Sequence, residues 1–134
     1  MIGIITGDII NSRKVNNPLE WMDPLKKLLN EQGKSPKTWD LYRGDSFQIE
    51  VKQPEETLGY AIRIKAAMKS LKDIDVRMAI GIGEKSFSAP QITQSNGEAF
   101  IYSGELLEKL VKDKQTMGIK TPWPEFNKEM NLYI

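Results

Sequence analysis

Three features of the chain predict an α+β domain built on an antiparallel sheet. Ile2 to Ile10 is an almost continuous, Ile-rich apolar run, the pattern of a central strand covered on both faces. Phe47, Ile49 and Val51 alternate with Ser46, Gln48 and Glu50, the period of a strand with one buried face. Segments of helical period separate the strands, giving the order β-α-β-β-α-β-α-β. Its first six elements match the split β-α-β unit of ferredoxin-like sheets, leaving an αβ extension at the C-terminal end.

Each element has a local reason. After the first strand, Asn17 can cap a helix, Pro18 suits its first position, and Glu20 stands three residues past the cap. Asp23-Pro24 repeats the start signal, so the helix restarts or kinks there. Leu25, Leu28 and Leu29 keep helical spacing, and Gly33 is a natural stop. Trp39 to Tyr42 and Ser46 to Val51 read as strands joined by a tight hairpin at Gly44-Asp45. Gln53-Pro54-Glu55-Glu56 opens a second helix, with Leu58, Ala61, Ile62, Met68 and Leu71 as its apolar stripe. Val76, Met78, Ile80 and Ile82 alternate along a fourth strand that ends at Gly83. Glu84 to Asn96 reads as a loop, and the next helix carries Phe100, Leu106, Leu107, Leu110 and Val111. A short strand follows near Thr116 to Lys120. Pro122-Trp123-Pro124 breaks it, and a helical turn over Glu125 to Met130 closes the chain.

Composition narrows the chemistry. The 134 residues suit one domain, 1–134, with a real core. No apolar run nears the roughly 20 residues that cross a bilayer, and no basic segment precedes the first apolar stretch. A cytoplasmic protein without membrane contact is expected. The chain has no Cys and no His, which removes disulfides, thiolate metal sites, the usual general base and most zinc sites. Any metal must be held by oxygen, which favours magnesium, manganese or calcium. The net charge of +1 gives no overall nucleic-acid signal.

Two aspartates stand out. Asp8 ends the apolar run of the first strand, and Asp45 sits in the hairpin Arg43-Gly44-Asp45-Ser46-Phe47. If the strands lie side by side, both carboxylates reach one sheet end. With a backbone carbonyl, that of Ile9 being the candidate, they could bind Mg²⁺ or Mn²⁺ and through it a nucleoside triphosphate. Asn11, Ser12, Arg13 and Lys14 follow directly, and with Arg43 they are candidates for cradling phosphates. Each aspartate also has a structural reading, since Asp tolerates turns and caps them. Arg77 either projects outward or neutralises a carboxylate at this sheet end. Gly81-Ile82-Gly83 reads as a strand-end bend rather than a phosphate loop. Trp21 and Trp123 read as packing residues, and Lys65, Lys69 and Lys72 as a solvated helix face.

These segments carry a resemblance. Gly7-Asp8-Ile9-Ile10-Asn11-Ser12 resembles the first metal-binding segment of class III nucleotidyl cyclases, and Arg43-Gly44-Asp45-Ser46-Phe47 resembles their hairpin and that of GGDEF diguanylate cyclases. Val76 to Glu84 is similar to the cyclase strand after the second helix. Most of the chain resembles the SatD family of small bacterial proteins. The match lies in Gly7 to Arg13, Tyr42 to Gln48, and Ser95-Asn96-Gly97-Glu98-Ala99-Phe100. The resemblance implies a palm-like fold, a metal at Asp8 and Asp45, and a regulatory role. The chain departs from the active cyclase pattern at four places. Ile101 and Glu105 stand where that pattern has an Asn that orients the ribose and an Arg that stabilises phosphoryl charge. Leu41 replaces the purine-selecting Lys, and Ser46 the second acid of GGDEF. SatD relatives often continue into a helix-turn-helix, but no DNA-binding element is expected within these residues.

Three readings follow: a regulatory domain that binds a divalent metal and a nucleotide, an active nucleotidyl cyclase or nucleotidyltransferase, and a non-catalytic interaction module of a transcriptional regulator. A homodimer is compatible with each, since cyclase-like sites are often completed across a two-fold interface.

Overall fold

A computed structural model describes residues 1–134. Five strands, β1 (Ile2–Ile10), β2 (Trp39–Tyr42), β3 (Ser46–Val51), β4 (Asp75–Gly83) and β5 (Met117–Lys120), form one sheet in the order β2-β3-β1-β4-β5. The helices are α1 (Leu19–Leu29), α2 (Thr57–Lys69), α3 (Glu98–Asp113) and α4 (Pro124–Tyr133). The first four strands pair antiparallel, as a ferredoxin-like core requires. β5 is the strand of the expected C-terminal αβ extension. It pairs parallel with β4, because α3 carries the chain back across the sheet before it. No helix is long and apolar enough to cross a membrane.

Strand alternation sorts β1 onto two faces. Ile5 and Ile9 pack with Trp21, Leu25, Phe47 and Ile64 beneath α1 and α2, in the main core. Ile4 packs with Ile92, Ala99 and Phe100 beneath α3. Thr6 and Asp8 share the parity of Ile4 and belong to the α3 face. The Tyr60 hydroxyl donates to the Leu28 carbonyl and ties α2 to α1.

Several expectations are corrected by packing. Pro24 neither breaks nor restarts α1, which runs from Leu19 to Leu29 with buried Trp21, Leu25 and Leu29 holding it to the core. On α2 the buried stripe is Thr57, Tyr60, Ala61, Ile64 and Met68, whereas Ile62 is 51% exposed. Gly81 and Gly83 are not a bend. Both lie within β4 and pair with β1, and a Cβ at Gly81 would stand 2.2 Å from the Ala99 carbonyl of α3. Gly81 is therefore a point of close approach between α3 and the sheet. Lys65 is not solvated: its ammonium donates to the Val76 carbonyl and pairs with Asp75 at 2.7 Å. Trp123 and Val111 are exposed rather than packed.

α4 runs ten residues, further than the expected turn, although it has no fully buried residue. Its asparagines explain this. Asn131 accepts from the Ile119 N–H at 2.8 Å and donates to the Ile119 carbonyl at 2.9 Å. Asn127 does the same for Thr121, both at 2.9 Å. The two amides take the place of a neighbouring strand along the open edge of β5.

Candidate functional site

β1 and the β2–β3 hairpin bring the two aspartates to one sheet end. Asp8 stands opposite Ser46 of β3 on one side and Arg77 of β4 on the other. One step further, the Ile9 N–H donates to the Asp45 carbonyl at 2.9 Å. The hairpin loop is Arg43-Gly44-Asp45. Arg43 and Gly44 both have positive φ, 53° and 85°, and Gly44 is the residue that takes this conformation without strain.

The two carboxylates are held from different sides. Asp8 Oδ1 accepts from Arg77 at 3.2 Å, and Arg77 is itself anchored by a bond from Nε to the Gln115 carbonyl at 3.1 Å. Asp45 Oδ2 accepts from the Ser12 hydroxyl at 2.7 Å. Neither Asp8 Oδ2 nor Asp45 Oδ1 accepts a hydrogen bond from the protein. Burial raises the Asp8 pKa above the ordinary carboxylate value, Arg77 opposes this, and the nearby Asp45 charge adds to it. Two acids thus share one region with a single direct cationic partner.

The Ile9 carbonyl is a third oxygen. In a strand, the N–H and carbonyl of one residue point the same way. The Ile9 N–H meets the hairpin, but the reciprocal bond from the Asp45 N–H to the Ile9 carbonyl is not made. Two carboxylates and a carbonyl form a hard-oxygen donor set of the kind Mg²⁺ or Mn²⁺ takes, with remaining positions filled by water or phosphate. No group of three or more acidic side chains capable of holding a metal occurs in the structure.

The turn after β1 is a short 3-10 segment, Ser12–Lys14, preceded by Asn11 in the left-handed region at φ 66°. The Asn11 amide donates to the Asp73 carbonyl at 3.0 Å, so this side chain braces the turn. Arg13, Lys14 and Arg43 form no salt bridge. Ser12, Arg13, Arg43 and Asp45 line one groove of about 390 Å³ together with Trp21 and Met22. The Trp21 indole N–H is buried without a partner. Lys14 and Asn11 lie outside the lining of that groove.

Sequence reasoning left the partner of Asp8 open between two roles for Arg77, because strand register decides it. It passed over Tyr42, Thr6 and Gln48. The burial that raises the Tyr42 pKa is reinforced by the Asp8 charge and opposed by Arg43, which places this ring beside the acids. Thr6 carried a visible signal: a hydroxyl in an Ile-rich strand, two residues before Asp8 and on its face. Ile101 is exposed, and Glu105 pairs with Lys120 of β5 at 3.0 Å. No protein-family model matches the chain, and a search of curated proteins finds no match.

Proposed function

We propose that this chain is a SatD-like regulatory domain with a cyclase-like palm, binding a divalent metal and a nucleotide where β1 meets the hairpin. The observation that carries the reading is the pairing of Asp8 and Asp45 at one sheet end, each with a carboxylate oxygen that no protein group engages. Asp8, Asp45 and the Ile9 carbonyl would hold the ion. A bound Mg²⁺ or Mn²⁺ would supply the positive charge that phosphate oxygens need. Arg13 and Arg43, which form no salt bridge and line one groove with Asp45, would take the outer phosphates. The chain's own residues favour binding over turnover. Glu105 occupies the position at which the cyclase resemblance implies a phosphoryl-stabilising Arg, and it pairs instead with Lys120.

Calorimetric titration of Mn²⁺ with ATP or GTP tests the reading. Wild type is expected to bind. Asp8→Ala and Asp45→Ala should lose more affinity than the roughly 10–100-fold that removal of an outer-shell partner causes at metal sites. Equal binding by all three folded proteins, or none by any, would overturn it.

One observation favours a second reading, an interaction module that dimerises. Met1, Trp123 and Phe126 are exposed around a cleft that also contains Leu58 and Ile82. Light scattering decides it: a stable dimer that survives loss of both aspartates supports a module, and a monomer at all concentrations excludes it.

A further inference from the structure

A second groove lies beside the hairpin, on the α3 face of the sheet. It has a volume of about 520 Å³ and is lined by Thr6, Tyr42, Arg43, Gln48, Thr93 and Gly104. That size is in the range of small-molecule sites. It shares Arg43 with the phosphate-side groove. Thr6 precedes Asp8 by two residues on the same face, about 6.6 Å along the strand, which is within the reach of a ribose.

A relay of hydrogen bonds sets what Gln48 presents to this groove. The Ser103 hydroxyl donates to the Ala79 carbonyl at 2.8 Å, and a carbonyl can only accept. The Ser103 and Thr6 hydroxyls are 2.7 Å apart, so with its own proton committed to Ala79, Ser103 accepts from Thr6. Thr6 Oγ1 in turn accepts from Gln48 Nε2 at 3.2 Å. The relay starts from a buried serine on α3, which packs at Gly81. It leaves the Gln48 amide with one carbonyl oxygen and one N–H unengaged.

On the purine edge that carries N7, one acceptor beside one donor matches one base and not the other. Adenine offers an amino donor at N6 and an acceptor at N7, so an amide meets it with two bonds. Guanine offers acceptors at both O6 and N7, which would set the Gln48 carbonyl against O6. The Tyr42 ring, with Arg43 above it at 5.9 Å, provides an aromatic wall for stacking. We infer that this groove is the base subsite of the metal–nucleotide site and that Gln48 selects adenine by meeting its N6–N7 edge. The inference rests on the proposed function and goes beyond it in naming the base.

The test measures Mn²⁺-dependent binding of ATP, GTP and inorganic tripolyphosphate. Proteins compared are wild type, Gln48→Ala, Gln48→Lys and Asp8→Ala, each checked for folding by circular dichroism. Wild type should bind ATP about 5- to 150-fold more tightly than GTP, the range a bidentate base contact provides. Gln48→Ala should remove the preference. Gln48→Lys, which offers only donors, should turn it toward GTP, a gain that a merely structural role for Gln48 would not produce. Equal wild-type affinities for ATP and GTP, or a preference that survives Gln48→Ala, would overturn the adenine assignment. Asp8-dependent binding of tripolyphosphate by wild type would then leave the metal–phosphate reading standing. If wild type binds neither nucleotide nor tripolyphosphate, both readings fall.

Discussion

Two clusters of polar side chains border the same sheet and use their atoms differently. At the β5 edge, the amide oxygens and nitrogens of Asn127 and Asn131 are all engaged with the backbone of Ile119 and Thr121. At the end of β1, Asp8 and Asp45 engage one oxygen each and leave the other without a protein partner. The first arrangement is complete in itself, while the second is half satisfied. Burial and the neighbouring acid both disfavour the ionised Asp8 carboxylate, and Arg77 offsets only part of this. The comparison therefore separates polarity that holds the structure from polarity that awaits a ligand.

The largest expected effect breaks the first half of the comparison. Asn127→Ala with Asn131→Ala frees four backbone groups, and at about 1 kcal/mol per bond the docked α4 should lose about 2–4 kcal/mol. Hydrogen exchange at Ile119 and Thr121 should accelerate, while nucleotide binding stays unchanged. If exchange there is unaltered, the asparagines do not hold the edge.

Gly81→Ala comes next. The added Cβ meets α3 backbone at 2.2 Å, so overpacking of about 1–3 kcal/mol is expected by denaturant melting. Moving α3 also disturbs the contact of Ser103 with Thr6, so this glycine supports the site's α3 face from a distance.

The smallest effect should carry the opposite sign. Asp8 has a raised pKa, chiefly from burial, so the unfolded chain releases this proton at lower pH than the folded one. The contribution of protonated Asp8 is complete below about pH 3.8 and is lost as pH rises through the folded value. At neutral pH the ionised group works against folding. Asp8→Asn should therefore be as stable as wild type at pH 7, or more stable by about 0.5 kcal/mol, while losing metal binding. A clear destabilisation would make Asp8 a structural residue. Turnover gives a further contrast. With all four nucleoside triphosphates and Mn²⁺, no pyrophosphate release is expected, and sustained release would favour the enzyme reading.

Alternation and turn residues made much of the fold legible. β1, β2 and β3 have the expected bounds because an Ile-rich run and a clean period of two leave little choice, and Gly44 marks the hairpin. What escaped depends on partners distant in sequence. The exposed Ile62 and buried Tyr60 of α2 reflect how α1 and the sheet rotate that helix, and a single helical stripe does not encode this. Gly81 looked like a bend because the α3 backbone that excludes its Cβ is eighteen residues away at Ala99. α4 looked short because asparagines, not apolar periodicity, dock it. At the candidate site, Asp8, Asp45 and the basic turn were visible as residue types in sequence. The partnership of Asp8 with Arg77 and the relay from Gln48 to Ser103 needed the register of β1 with β3 and β4.

The most direct test of the central claim uses Mn²⁺ as both ligand and probe. Sub-stoichiometric Mn²⁺ with nucleotide is added to isotopically labelled protein, and the broadening of backbone amide signals is mapped by NMR. The account predicts that signals of Asp8 to Lys14 and Arg43 to Ser46 disappear first, those of Ile2 and Gly83 at the far end of the strands persist, and the pattern vanishes in Asp8→Ala. Uniform broadening, or the same pattern without Asp8, would contradict it.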